Sequence, residues 1–387
     1  MATLYRLRIA AIATAYYKLS HADVIISRWL KPLPSDRAHG WPAYGHEKPR
    51  TEIVSAHIVQ CLENDIGQEV VTQHGVPLFP TIRDALMMGG DALAVDGVLL
   101  IGEHGEYPFN EYGQKTYPRR ELFDEIVAVF RETGRTVPVF SDKHFSYDAD
   151  SARHMVATAK EMGFPLMGGS SIPLAGLGPE WNMPDGLELD EALSVYYHLP
   201  ETYGYHSVEL LQSVVANRAG GESGIEAVTS YYDESFWEAE AEGIWPRDLM
   251  QAALAASPTV KPGDYRTNVQ GQINERVWPH KWPTAFVFEH RDGLRTIYLQ
   301  LHGHVSDWSV AVRAKNGEIY AGSSSNANCK DGKFAPHFAV LNSHIEEFFL
   351  TGKTPYPIEF YLRNTLAIHA ALHALKTPGV RVPVQDS

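Results

Sequence analysis

Residues 95–101 read Val-Asp-Gly-Val-Leu-Leu-Ile, and a run this short and this apolar predicts a strand buried on both faces. Leu7–Ala13 is a second such run, with almost no polar alternation. Strands without a solvent face need helices on both sides, so the two runs call for a parallel sheet wound with helices. The chain around them supplies that alternation. Ser20–Leu30 carries Ala22, Ile25, Ile26, Trp29 and Leu30 at helical spacing, with Ser20 placed to cap it. Glu52–Leu62 reads as a strand, Gln68–His74 as a helix ended by Gly75, Val76–Phe79 as a short strand and Thr81–Met88 as a helix. Arg120–Thr133 is a helical pattern closed by Gly134, Val137–Phe140 a strand, Ser151–Met162 a helix stopped at Gly163, and Pro165–Met167 a strand.

The pattern changes after Gly168. Longer extended runs follow at Ile225–Tyr232, Thr284–His290, Arg295–His304 and Trp308–Ala314, which suit antiparallel pairing. Ala256–Trp282 is a connection punctuated by Pro and Gly. Helical patterns at Phe338–Leu350 and Ile358–Leu375 close the chain. The expected class is α/β: a Rossmann-like doubly wound parallel sheet over residues 1–168, then an α+β domain with a large, mainly antiparallel open sheet over 169–387. The last helix is placed to pack back on the first domain. A chain of 387 residues is long enough for two cores.

Composition excludes several classes. The formal charge is −14 with no Lys/Arg cluster, so a nucleic-acid partner is disfavoured. No apolar run approaches the roughly 18 residues that span a membrane. Ile9–Tyr17, preceded by Arg6 and Arg8, imitates a short signal core but fits a buried first strand better. Cys61 and Cys329 form no CxxC pair, which suggests a reducing, cytoplasmic setting.

Several short stretches, in this order, resemble the Gfo/Idh/MocA family of sugar oxidoreductases. They are Gly75–Phe79 with the Thr81–Leu86 helix and Val95–Val98; Ser141-Asp142-Lys143-His144, where the family has a Glu-Lys-Pro signature; Glu161–Met167; Gly204-Tyr205-His206 opening an apolar helix; and the tail from Ile345 through Gly352 and Pro355 to the last helix. The resemblance implies a Rossmann domain for NAD or NADP, a carbohydrate-like substrate and a homo-oligomer, dimer or tetramer. It implies that Lys143 and His206 handle a proton on a substrate hydroxyl, with Asp142 beside them.

The chain departs from that family in its first turn. A Rossmann turn uses three glycines, for tightness, for pyrophosphate approach and for helix packing. Ala13, Ala15 and Lys18 fall at those positions. Cys61 falls near the place of the ribose-binding acid, with Glu63 the nearest carboxylate, and Thr202 replaces the family's catalytic Asp, with Glu201 next to it.

Ligands of open α/β sheets bind beyond the C-terminal ends of the strands. Two of those ends are rich in polar residues: Glu103, His104, Glu106 and Tyr107 after one strand, and Asp142, Lys143 and His144 after another. Glu103 and His104 are candidate cofactor contacts, alongside Ala13, Ala15 and Lys18. Glu106, Tyr107, His144 and Glu201 are candidate substrate contacts. Glu103, His104 and Glu106 also offer divalent-metal donors, but so short a segment is a weak signature and no metal ligands are assigned. His302 and His304, two apart on an expected strand, share one face. His39, Tyr44 and His46 in the long Lys31–Arg50 loop can cover a crevice, and Tyr231–Trp245 carries aromatics suited to core or sugar.

Two functions are expected, the first ranked ahead of the second. One is an NAD(P)-dependent oxidoreductase on a sugar, cyclitol or related polyol. The other is a non-redox lyase, hydratase or hydrolase on a keto-sugar, metal-assisted or without cofactor, on a scaffold that has lost the dinucleotide.

Overall fold

The computed structural model describes residues 6–270, 283–324 and 335–385. Cys329 and the 271–282 part of the expected connection lie outside the described residues. The chain forms two compact units. The first comprises Met1–Pro108, Thr116–Ser171 and Cys329–Leu362; the second comprises Phe109–Lys115, Ile172–Asn328 and Arg363–Ser387.

The first unit is a five-stranded sheet of β1 (Leu7–Ala15), β2 (Thr51–Gln60), β3 (Gly97–Ile101), β4 (Val139–Ser141) and β5 (Leu166–Met167), in the order β2-β1-β3-β4-β5. Every pair is parallel. β1 and β3 are the two apolar runs, and all of β3 is buried. They sit together at the centre, which explains why neither alternates. The Ile82–Met87 helix packs on Arg119–Thr133, which packs on Ala149–Met162, while the helical 21–30 segment packs on His337–Thr351. Gly134 and Gly163 end their helices in the left-handed conformation.

Two expectations change here. β1 runs two residues beyond Ala13, because Ala15 still pairs with Gln60 of β2. Val76–Phe79 is not a strand of the sheet. It makes one bridge, Leu78 to Ala56, and Pro77 and Pro80 supply no N–H with which to extend a ladder.

The second unit holds a seven-stranded sheet of β6 (Leu189–Tyr196), β7 (Ile225–Tyr232), β8 (Thr284–His290), β9 (Arg295–Gln300), β10 (Ser309–Ala314), β11 (Ile319–Ser323) and β12 (Arg381–Pro383). Its order is β11-β10-β6-β9-β8-β7-β12, antiparallel except for the β6–β9 pair. Alternate residues feed two cores. Ala192, Tyr196, Phe286, Phe288, Tyr298 and Val310 enter one, with Leu211 and Ile368 from helices. Leu193, Val195, Val287, Ile297, Leu299 and Ala311 enter the other, under Phe236, Trp245 and Leu249. Phe236 and Trp245 of the aromatic Tyr231–Trp245 stretch are therefore core. No helix among the described residues is long and apolar enough to cross a membrane.

The doubled burial of β3 sets a testable cost. Leu100, 0% exposed, becomes a cavity in Leu100→Ala. The change should lower stability by about 2–5 kcal/mol in urea unfolding followed by far-UV dichroism. An unchanged midpoint would contradict the central position of β3.

Candidate active site

β3 and β4 pair in parallel, so the segments that leave their C-terminal ends start side by side. Gly102 follows β3 because a Cβ there would stand 2.6 Å from Cγ of Arg119. The space it leaves lets the Arg119 side chain lie buried over the strand end. Arg119 Nη2 donates to Glu103 Oε2 at 2.5 Å and to the Lys143 carbonyl at 2.7 Å. Lys143 Nζ donates to Glu103 Oε1 at 3.3 Å. Glu103, Arg119 and Lys143 are 4%, 1% and 2% exposed. Burial alone would push the Glu103 carboxyl up, but Lys143 and Arg119 hold it well below the usual carboxylate range. Tyr117 lies under the guanidinium, 4.9 Å from its carbon to the ring centre. Arg119 Nε and Nη1 are buried and meet no acceptor among the described residues.

A second pair adjoins the first. Asp142, 1% exposed, accepts the Lys143 backbone N–H through Oδ1 at 2.9 Å, and its Oδ2 lies 2.7 Å from His21 Nδ1. His104 Nδ1 lies 2.9 Å from the Tyr17 hydroxyl. Burial pushes the His104 imidazole down to about 3, and His21 pushes the same way against Glu103 and Asp142. His104 is therefore neutral near pH 7, and its buried Nε2 meets no partner among the described residues. Tyr17 is raised by burial and by the Glu103 charge.

The turn after β1 decides whether a dinucleotide fits. A pyrophosphate needs backbone N–H groups aimed at it from such a turn. Here the N–H groups of Tyr17, Leu19, Ser20 and Asp23 are already used. Ser20 Oγ accepts the N–H of Tyr17 at 3.2 Å and of Asp23 at 3.3 Å. Ser20 N–H donates to the Tyr17 carbonyl at 3.0 Å, and Leu19 N–H donates to Asp23 Oδ2 at 2.9 Å. The Asp23 carboxylate, 4% exposed, also accepts from Ser27 Oγ at 2.7 Å and pairs with Lys18 Nζ at 3.2 Å. The chain's own anion thus sits at the start of the helix, and Leu19 holds a left-handed φ of 72° where glycine would be free of strain. Tyr17–His104 ties this turn to the end of β3, and the Gln60 amide ties the end of β2 to the Glu106 backbone. These residues do not fit a pyrophosphate in the Rossmann manner.

The expected site residues are distributed as follows. Lys143, Asp142, Glu103 and His104 come together in the first unit. Ala13 and Ala15 lie buried within β1, and Lys18 is exposed and paired with Asp23. His144 is buried next to Lys143, Glu106 is exposed, and Tyr107 packs on Tyr117 at 5.6 Å. Cys61 and Glu63 after β2 are exposed. Among the described residues, no three His, Cys, Asp or Glu side chains are grouped so as to hold a metal ion.

Glu201 and His206 belong to the second unit. Glu201 Oε2 accepts the Lys115 N–H at 2.9 Å just before the Thr202–Val215 helix. His206, on that helix, packs edge-on against Trp308 at 5.1 Å, and Tyr203 stacks on the same Trp308. His302 and His304 do not share a strand face. β9 stops at Gln300, and the chain turns back through hydrogen bonds from His304 and Val305 to the Leu301 carbonyl. His302 Nδ1 accepts the His198 N–H at 3.2 Å, while His304 Nδ1 meets the Asn268 amide at 3.0 Å.

Sequence reasoning overlooked His21, Tyr17 and Arg119. Arg119 had one legible signal, since an arginine in the first turn of a helix opposes the helix dipole and needs a partner. His21 stands at a helix start, where a histidine with no visible purpose was open to question.

No family model and no curated protein matches the chain by sequence. Solved structures do match. A scyllo-inositol dehydrogenase from Lactobacillus casei with bound NAD(H) and scyllo-inositol has a TM-score of 0.58 at 10% identity, over 98% of this chain and 99% of that one. Myo-inositol 2-dehydrogenase from Lactobacillus plantarum gives 0.58 at 11%, over 98% and 100%. An oxidoreductase from Agrobacterium radiobacter in complex with NAD+, L-tartaric acid and magnesium gives 0.57 at 12%, over 98% and 99%. The chain shares the fold of these structures, with a Rossmann-like sheet and a second, mostly antiparallel one.

The depressed Glu103 carboxyl fixes a pH signature. Its folded value lies below its unfolded value, about 4.3. Its stabilising contribution is therefore complete above that pH and is lost as pH falls through the folded value. Glu103→Gln should cost about 3–5 kcal/mol at pH 7, because two buried cations lose their counter-ion. Urea midpoints taken from pH 7 down to pH 3 should show the gap to wild type narrowing below about pH 4. A constant gap would mean that Glu103 is not ionised in this network.

Proposed function

We propose that this chain is an enzyme that moves a proton at a carbon next to a carbonyl in a polyhydroxylated substrate, a sugar or cyclitol derivative, without a nicotinamide cofactor. The observation that carries this reading is the Lys143 ammonium, buried at the end of β4 and paired with the Glu103 carboxylate, which also takes Arg119. A lysine held charged in a dry site is a strong hydrogen-bond donor to a carbonyl oxygen. It stabilises the negative charge that develops there when the neighbouring C–H is broken. Glu103 is fully engaged by two cations, so it acts on the substrate through them. The self-filled turn beside this cluster supports a non-redox reaction of the lyase, hydratase or isomerase kind.

The substrate class draws on the comparisons. Two of the matched proteins are inositol dehydrogenases, one with scyllo-inositol bound, and another holds L-tartaric acid. All of these ligands carry adjacent hydroxyls. His206, in the second unit, remains a candidate acid or base that the resemblance implies. A second reading, an NAD(P)-dependent oxidoreductase on the same substrates, is favoured by one observation. Two of these three structures hold NAD, and the likeness to each runs over 98% of this chain.

The test needs no knowledge of the product. The protein is incubated in D2O with a panel of aldoses, ketoses and cyclitol ketones, with no nicotinamide added, and proton NMR follows loss of C–H signal next to the carbonyl. The proposal expects exchange or elimination with at least one member, and a fall of about 10²–10⁴-fold in Lys143→Ala. A panel that stays inert until NAD(P) is supplied would favour the oxidoreductase instead.

A further inference from the structure

The Lys143 cluster supplies a donor for a carbonyl oxygen but no base. Glu103 is engaged by Arg119 and Lys143, Asp142 is buried and doubly hydrogen-bonded, and Lys143 Nζ is turned to Glu103 as a donor. We infer that His21, oriented by Asp142, is the catalytic base of this site, and that Asp142 is its positioning residue. The inference rests on the proton-transfer reading given above.

Three observations support it. Asp142 Oδ2 lies 2.7 Å from His21 Nδ1, and the carboxylate is itself locked by the Lys143 backbone N–H on Oδ1. A fixed carboxylate on Nδ1 selects the tautomer with its proton there, leaving the lone pair on Nε2. The ring is then held edge-on by His104 at 5.1 Å and by Phe338 at 5.2 Å, which restricts its rotation. Finally, the His21 side chain is 14% exposed against 1% for Asp142 and 2% for Lys143. Its Nε2 has no hydrogen bond among the described residues and is not sealed from solvent, unlike the Nε2 of His104. Unlike Glu103, Asp142 and Lys143, His21 combines an open lone pair with partial exposure.

The step balances. The Nε2 lone pair takes the proton from the carbon beside the carbonyl, so a C–H bond breaks and an N–H bond forms. The C–H electron pair moves into the new C=C bond, and the carbonyl oxygen becomes an enolate oxygen hydrogen-bonded by Lys143 Nζ. Imidazolium is stabilised by Asp142, as the enolate is by Lys143. In D2O the imidazole exchanges its proton with solvent and returns a deuteron to the carbon.

His21→Ala is tested in the exchange assay, with and without added imidazole. The expected result is a loss of about 10²–10⁴-fold in exchange, partly restored by millimolar imidazole, with thermal stability close to wild type. Asp142→Asn should lose about 100-fold or more while His21 remains, and ¹⁵N NMR of histidine-labelled protein should show its Nδ1–H tautomer lost. His21→Gln carries the same test should the alanine variant fold poorly. Exchange retained by the His21 variants but lost in Lys143→Ala would overturn the assignment of His21 and leave the proton-transfer reading standing. Loss without imidazole rescue, and with an unchanged tautomer in Asp142→Asn, would make the pair structural and also overturn it. A wild-type protein inert to the whole panel would sink both.

Discussion

The carboxylate of Glu103 is the point on which the first unit's functional architecture depends. It leaves the end of β3, takes the guanidinium of Arg119 on one oxygen and the ammonium of Lys143 on the other, and so ties the helix start at Arg119 to the strand end at β4. Two buried cations without it would be intolerable, and a lone buried carboxylate would neutralise itself. The three groups justify one another's burial. Their arrangement explains Gly102, whose missing Cβ makes room for the arginine, and the arginine at a helix start that otherwise disfavours it. Around this centre Asp142 meets His21 at 2.7 Å, while His104 stays neutral.

The same strand ends hold the departure from the dehydrogenases that share this fold. In a Rossmann turn the fold leaves backbone donors empty for a ligand's phosphate. Here Asp23 and Ser20 accept the N–H groups of Tyr17, Leu19 and Asp23, and Lys18 pairs with the Asp23 carboxylate. Tyr17–His104 and Gln60–Glu106 then fasten the turn and the end of β2 to the segment after β3. A sheet order that elsewhere serves a dinucleotide thus presents histidines and a buried lysine.

Much of the fold was legible because its signals are local. The apolar runs of β1 and β3, the glycines after Thr133 and Met162, and the long extended runs of β7 and β8 all report burial or backbone geometry directly. β6 was missed although it lies in the middle of the second sheet, since Leu189-Asp-Glu-Ala-Leu-Ser uses residues that favour helix and its strand character comes from its neighbours. At the site, Lys143, Asp142, Glu103 and His104 could be read from their positions after two apolar runs. His21 and Asp142 are 121 residues apart, and no spacing in one sequence reports such a pair. The missing glycines were visible, whereas the carboxylate that replaces their ligand was not. Asp23 looks like any acid in the first turn of a helix.

The central claim is that the chain's own side chains fill the dinucleotide turn. Its most direct test is the thermal midpoint of the purified protein with 1 mM NAD+, NADH, NADP+ or NADPH. A ligand bound at one hundredth of its concentration would add about 2.7 kcal/mol to the folded state and raise the midpoint by several degrees. The account predicts no shift with any of the four. A saturable rise with one of them, abolished in a variant that changes the Ser20–Asp23 turn, would contradict it.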